Sequence, residues 1–227
     1  MTSDKNKDIV YNQDKLYNLD EAVKLVKVSS AVKFDASIDV AINLNVDPRH
    51  AEENIRISTS LPNGTGKAIK VLVLADGPKV QEALDAGADF CGSKDYIDKI
   101  KGGWADIDKI VATPNLMPEL GKIGKILGPK GLMPNPKSGT VTMDVAKAVT
   151  ELKSGMVELR VEKAGVVHTV CGKVSFDDSA IVENILKIYN SLMKSRPPSV
   201  KGQFIEKISI SATMGPGIKV NINSLGS

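Results

Sequence analysis

Apolar and polar residues alternate strictly over residues 37–44, SIDVAINL, where Ile38, Val40, Ile42 and Leu44 share one side. A period of two predicts a half-buried strand, and Ile55 and Ile57 repeat it after the turn DPRH. Upstream the spacing is helical. Ala22, Val23, Leu25 and Val26 form one stripe behind Asn18, a good cap, with Asp20 and Glu21 in the first turn. LPNGTGK, residues 61–67, then breaks the pattern with Pro62, Gly64 and Gly66. Beyond it KVLVLA reads as a strand buried on both faces and KVQEALDAGA as a helix stopped near Gly87. DIDKIVATP is the next clear strand, and VTMDVAKAVTELKSG a closing helix with Gly155 past its end. Strands alternating with helices predict a parallel, Rossmann-like sheet over about residues 68–153.

The remaining segments do not form a self-sufficient core in either half. MVELRV and VVHTVCGKV read as strands around the turn residues Lys163, Ala164 and Gly165. A long helix runs from about Ser179 to Lys194, stopped by Pro197 and Pro198, and FIEKISISATM and IKVNI close the chain. The economical fold is α/β with two domains. A discontinuous two-layer α+β domain forms from both chain ends, residues 1–66 plus 156–227, and carries an inserted Rossmann-like three-layer α/β domain, residues 67–155. The crossings near 61–67 and 153–160 contain Gly64, Gly66 and Gly155, which suit a hinge between rigid bodies or merely end their elements.

GKIGKILGPKGLMPNPKSG, residues 121–139, holds five glycines, three prolines, four lysines and no acid. That density of proline and glycine predicts a shaped loop without regular structure. Its Lys122, Lys125, Lys130 and Lys137 point at an anion or into water. The whole chain is nearly balanced at net +3, and the last third, residues 154–227, is the most basic, with nine Lys/Arg against six Asp/Glu. Apolar content of 42% with 25% charged residues describes a globular chain. The longest apolar run, Val71 to Ala75, is far too short for a membrane helix, and the mixed-charge start MTSDKNKD has no signal-peptide core, so the expected location is cytoplasmic. Cys91 and Cys171 form no close-spaced pair, so neither a zinc site nor a disulfide framework is indicated.

SISATMGPG, residues 209–217, is the stretch with most chemistry. Ser209, Ser211 and Thr213 face one side of a strand at intervals of about 6.6 Å, opposite Ile208, Ile210 and Ala212. Such a row suits phosphate oxygens and ribose 2′-hydroxyls; it equally suits the solvated side of an antiparallel sheet. Met214, Gly215 and Gly217 end the strand so that a flat partner can approach. Lys33 and Phe34 precede the first strand, with Ser37 outward, a pairing that fits a phosphate and a base, or a lysine beside a core aromatic. His168 alternates with Val166 and Val170, the usual setting of a structural histidine. With only His50 besides, no metal site or triad is supported. The glycine-rich loops lack the spacing of a phosphate loop, and KVLVLA is followed by DGPKVQ rather than a dinucleotide fingerprint. No catalytic residues and no cofactor are assigned.

LGPKGLMPNPKSGTVT, residues 127–142, closely resembles the ribosomal protein L-one family, the stalk protein of the large ribosomal subunit. The match continues through VKFDASIDVAINLNVDPRH, LPNGTGK, AGAD, KSGMVELR, GVVHTVCGKVSF and KGQFIEKISISATMGPG, in order along nearly the whole chain. The resemblance implies a non-enzymatic protein whose first domain binds large-subunit rRNA and, on a similar structure, its own messenger as a translational repressor. It implies a mobile stalk that moves with deacylated tRNA at the exit site, and a ribosome-associated protein that is a monomer when free. By matching blocks, Lys33, Phe34, Ser37, His168, Lys173, Ser211, Thr213, Met214, Gly215 and Gly217 would meet RNA. The opening stretch MTSDKNKDIVYNQDKLYN departs from the family's basic start, so no rRNA contact is expected from it. Two rival classes are a nucleotide-using enzyme built on residues 68–153 and a module that meets only protein.

Overall fold

The computed structural model describes residues 12, 14–50 and 52–225; the mixed-charge opening, residues 1–11, lies outside them. In chain order the elements are α1 (Leu19–Ser29), β1 (Ser37–Leu44), β2 (Arg56–Ser60), β3 (Val71–Leu74), α2 (Lys79–Asp85), β4 (Phe90–Gly92), α3 (Lys94–Lys101) and β5 (Lys109–Ala112). There follow α4 (Met117–Lys122), α5 (Gly124–Leu127), α6 (Val145–Lys153), β6 (Met156–Arg160), β7 (Val166–Lys173), α7 (Asp178–Lys194), β8 (Ile205–Ala212) and β9 (Ile218–Val220). The chain divides into two compact units, one ending at Gly66 and resuming at Val157, the other spanning Lys67–Met156.

The first unit is built on an antiparallel sheet of order β7-β1-β8-β9. Along β1 burial alternates residue by residue, with Ile38, Val40, Ile42 and Leu44 inside and Ser37, Asp39, Ala41 and Asn43 on the other side. The buried side packs on the stripe Leu19, Ala22, Val23 and Val26 of α1 and on Ile181, Ile185, Ile188 and Leu192 of α7. Each fully buried Ile or Leu contributes about 1.5–3 kcal/mol, so this one-sided burial sets the sheet's register. A two-stranded sheet of β2 and β6 adds Leu159 and neighbouring Ile55 and Leu61 to the same core.

In the second unit β4, β3 and β5 run parallel in the order β4-β3-β5. All four residues of β3 are buried because helices cover both faces. Val71, Val73 and Val111 pack with Ala83 of α2 and Val145, Ala148, Val149 and Leu152 of α6. Leu72, Leu74 and Ile110 pack with Ile97 and Ile100 of α3, Leu120 of α4 and Leu127 of α5. This is a three-layer α/β arrangement. Gly87, at φ 93°, ends α2 as expected of a left-handed cap.

The lysine-rich stretch 121–139 corrects one expectation. It is not structureless: α4 ends in it, α5 lies within it, and Pro136–Ser138 forms a 3-10 turn behind Asn135, whose side chain accepts from the Lys137 N–H at 2.8 Å. Leu120, Ile123 and Leu127 recur at helical spacing and are all buried. Their burial outweighs the roughly 1 kcal/mol that each helical glycine costs. Lys122 and Lys125 therefore stand on helices, and only Lys130 lies on open loop.

Candidate nucleic-acid interface

The outward side of the sheet β7-β1-β8-β9 carries Ser209 and Ser211 of β8, with Thr213 just past its end. Ser209, Ser211 and Thr213 are all half-exposed, while Ile208, Ile210 and Ala212 are buried beneath them. Register brings Ser209 opposite Ala41 and Ser211 opposite Asp39, and across β1 it places His168 opposite Ala41 and Lys173 opposite Ser37. The helices of the first unit, α1 and α7, pack on the buried side, so this side of the sheet presents short polar side chains to solvent.

The hydroxyls of Ser209 and Ser211 have no hydrogen-bond partner among the described residues. Thr213 differs, because its Oγ1 donates to the Ser37 carbonyl at 3.2 Å and its backbone N–H donates to the same oxygen at 2.9 Å. With its proton engaged, the Thr213 oxygen offers only lone pairs outward. It suits a hydroxyl donor, such as a ribose 2′-OH, better than a phosphate oxygen, which can only accept.

Beside Thr213 the chain turns, with the Gly215 N–H donating to the Ala212 carbonyl at 2.8 Å. Met214 sits in this turn at φ 65°, the one described residue other than glycine in the left-handed region, and its side chain is 86% exposed. Its side chain therefore contributes no packing to the fold, and the backbone angle is one that residues with a Cβ adopt only at a cost. Gly215 is confined: a Cβ there would lie 3.1 Å from the Ala212 carbonyl oxygen, while Gly217 faces open space. At the same end of the face, before β1, Phe34 is 59% exposed, which settles the choice between core and surface, and Lys33 beside it is exposed without an ion-pair partner among the described residues.

Lys173 is less available. Its Nζ lies 3.6 Å from Asp35, whose carboxylate also accepts from the Ser175 hydroxyl at 2.9 Å and the Ser175 N–H at 3.1 Å. The Ser175 hydroxyl, and with it Lys173, holds the Asp35 carboxyl below the ordinary carboxylate range. His168 is exposed on the same side. Free positive charge on this face comes from Lys33 and from Lys207, which is exposed opposite Asn43, so shape and uncharged hydrogen bonding carry most of what its middle can recognise. Asp39, Ala41 and Asn43 belong to it too; the alternation of β1 already placed them outward, yet an outward acid in one strand looks merely solvated.

In the second unit Lys122, Lys125, Lys130 and Lys137 are exposed and free of ion pairs among the described residues. Gly64, Gly66 and Gly155 have φ of 63°, 71° and 102°. The fully buried Asn184 of α7 donates to the Gly64 carbonyl at 3.0 Å and to the Cys171 carbonyl at 2.8 Å, and accepts from the Asn63 N–H at 3.2 Å. Gly64 is thereby tied to the first unit, and Gly66 lies against the ring of Phe176. The described residues contain no cluster of His, Cys, Asp or Glu able to hold a metal, and no helix long and apolar enough to cross a membrane.

Architecture and surface together define an α/β protein of two units whose candidate site is an open sheet face. Comparison with known proteins narrows this, since residues 25–216 match the model of the Ribosomal protein L1p/L10e family. The chain is 53% identical over 194 residues to a large ribosomal subunit protein uL1 of Chlamydia caviae, covering 86% of this chain and 84% of that relative. It is 56% identical over 191 residues to the protein of the same name from Chlorobaculum tepidum, covering 84% and 83% respectively. The chain belongs to the ribosomal protein L1p/L10e family, whose members are structural proteins and not enzymes.

Proposed function

We propose that the outward face of β7-β1-β8-β9 binds large-subunit rRNA and so anchors this protein in the large ribosomal subunit, the assembly for which its relatives are named. One observation carries this reading. The unpartnered hydroxyls of Ser209 and Ser211 and the acceptor-only oxygen of Thr213 form a row on the outward sheet face that leads to the end where exposed Phe34 and the strained, displayed Met214 both stand. Lys33, Ser37, His168 and Lys173 border the same surface, and Gly215 and Gly217 let a flat partner approach. The second unit then forms the mobile part of a stalk near the exit site, pivoting at Gly66 and Gly155 with Gly64 as the fixed edge, and assists release of deacylated tRNA. The four free lysines of residues 121–139 supply its positive surface. A messenger carrying a similar RNA structure would occupy the same face, which gives repression of the protein's own translation.

Filter-binding titration of the full chain against large-subunit rRNA fragments across a salt series tests the reading. Saturable, salt-dependent binding is expected, with a shallow salt slope because few lysines are unpaired at the face. Thr213→Val and Met214→Asp should weaken it by about 1–3 kcal/mol, and Lys130→Ala should leave it within a factor of about two. A dominant Lys130 and a silent Thr213 would displace the site. Absence of saturable RNA binding would overturn the reading and favour a module that meets only protein.

A further inference from the structure

One member of the outward row on β1 is an acid. Asp39 lies opposite Ser211 on β8 and opposite Val170 on β7, so its carboxylate stands in mid-sheet and not at the rim. Directly paired residues bring their Cβ atoms to about 4.5–5.5 Å, close enough for one ligand group to meet both Asp39 and Ser211. The ladder is irregular at this point. Ile38 pairs with Gly172 and Asp39 with Val170, which leaves Cys171 as an extra residue whose buried thiol donates to the Ile38 carbonyl at 3.2 Å. Bulges of this kind re-aim neighbouring side chains and gather at functional sites.

Asp39 is half-buried, yet it makes no hydrogen bond and no ion pair among the described residues. Burial raises its carboxyl above the ordinary range, as happens when desolvation is only partly compensated. His168 stands on the diagonal across β1 and β7 and draws the carboxyl down by charge, and burial outweighs that attraction. A carboxylate in this position weakens the free protein and repels phosphate; its presence calls for a ligand that restores what burial removed. An ionised carboxylate only accepts, so that ligand must bring uncharged donors.

We propose that Asp39 is a specificity-determining residue of the rRNA face, accepting with Ser211 from uncharged O–H or N–H donors of a folded RNA, either ribose 2′-hydroxyls or base amino and imino groups. The inference rests on the rRNA-binding reading and deepens it: phosphates are confined to the rim near Lys33, and sugar or base edges occupy the middle. Random RNA that offers phosphates to mid-sheet is turned away.

The test uses the full chain and its Asp39→Asn and Asp39→Ala variants, titrated against an rRNA fragment, an unrelated RNA hairpin of equal length, and the fragment carrying 2′-deoxy substitutions or bases lacking an exocyclic amine. Both variants should lose at least tenfold in affinity for the fragment, hold or gain affinity for the hairpin, and melt at or above the wild-type temperature. Deoxy substitutions that weaken wild type but not Asp39→Ala identify the 2′-hydroxyl as donor; amine deletions that do so identify the base. The proposal is overturned if both variants change affinity for all probes by one common factor, leaving the fragment-to-hairpin ratio intact. Failure of wild type to bind the fragment is a separate result that removes the rRNA reading itself.

Discussion

Met214 holds a backbone angle that a side chain with a Cβ occupies at a cost of about 1–2 kcal/mol. Nothing in the fold repays it, since the side chain is almost wholly in solvent. Met214→Gly separates the two roles of the residue. Removing the strain is partly offset by the greater freedom of glycine in the unfolded chain, so thermal unfolding should move by only a few degrees. Affinity for the rRNA fragment, measured by the same filter assay, should fall about tenfold or more if the thioether is what the partner meets. The strand alternation made the outward set of Ser209, Ser211 and Thr213 legible in the sequence, because a period of two is a local property. It could not disclose that Thr213 spends its proton on Ser37 or that Asp39 has no partner. Both depend on register between strands that are far apart in the chain.

At the scale of elements, Asp89 shows how a loop carboxylate holds a parallel sheet together. It accepts from the N–H of the fully buried Val71 at 2.9 Å and lies 3.2 Å from Lys153 of α6. The Val71 hydrogen bond, then the lysine, keeps its carboxyl below the usual range. The sign follows directly: a depressed folded value contributes stability above the unfolded carboxylate pKa of roughly 3.9, and the contribution disappears as pH falls through the lower folded value. Asp89→Ala should destabilise the second unit by about 1–3 kcal/mol near neutrality, because a buried N–H loses its acceptor, and the difference from wild type in urea unfolding should shrink toward pH 3. Elements differ in how far the sequence exposes them. KVLVLA, with its unbroken run, announces a buried strand, whereas β4 has three residues and α3 offers only Ile97 and Ile100 among charges, so neither rises above its surroundings. In residues 121–139 the glycines and prolines obscured an apolar spacing that packing then enforced.

For the molecule as a whole, the core of the first unit is drawn only from residues on its own side of the Gly66 and Val157 boundaries. A chain in which a short linker replaces residues 68–153 should therefore keep its circular dichroism and cooperative melt, and retain rRNA affinity within a few-fold. A folded deletion protein that no longer binds would assign part of the grip to the second unit. The discontinuous arrangement was readable from the chain because neither end carried enough apolar elements to close a core alone, while the middle did.

The sheet order also has a bearing on biosynthesis. Both neighbours of β1, namely β7 and β8, are encoded beyond the inserted unit. A nascent chain thus carries Ile38, Val40 and Ile42 on an unpaired strand until β7 is complete at Lys173, and on a strand with one open side until Ala212 has been added, while residues 67–156 already possess every strand they need and can close first. Premature termination before Val166 would leave a finished inner body tethered to an orphan strand, a product suited to capture by chaperones or removal by proteases.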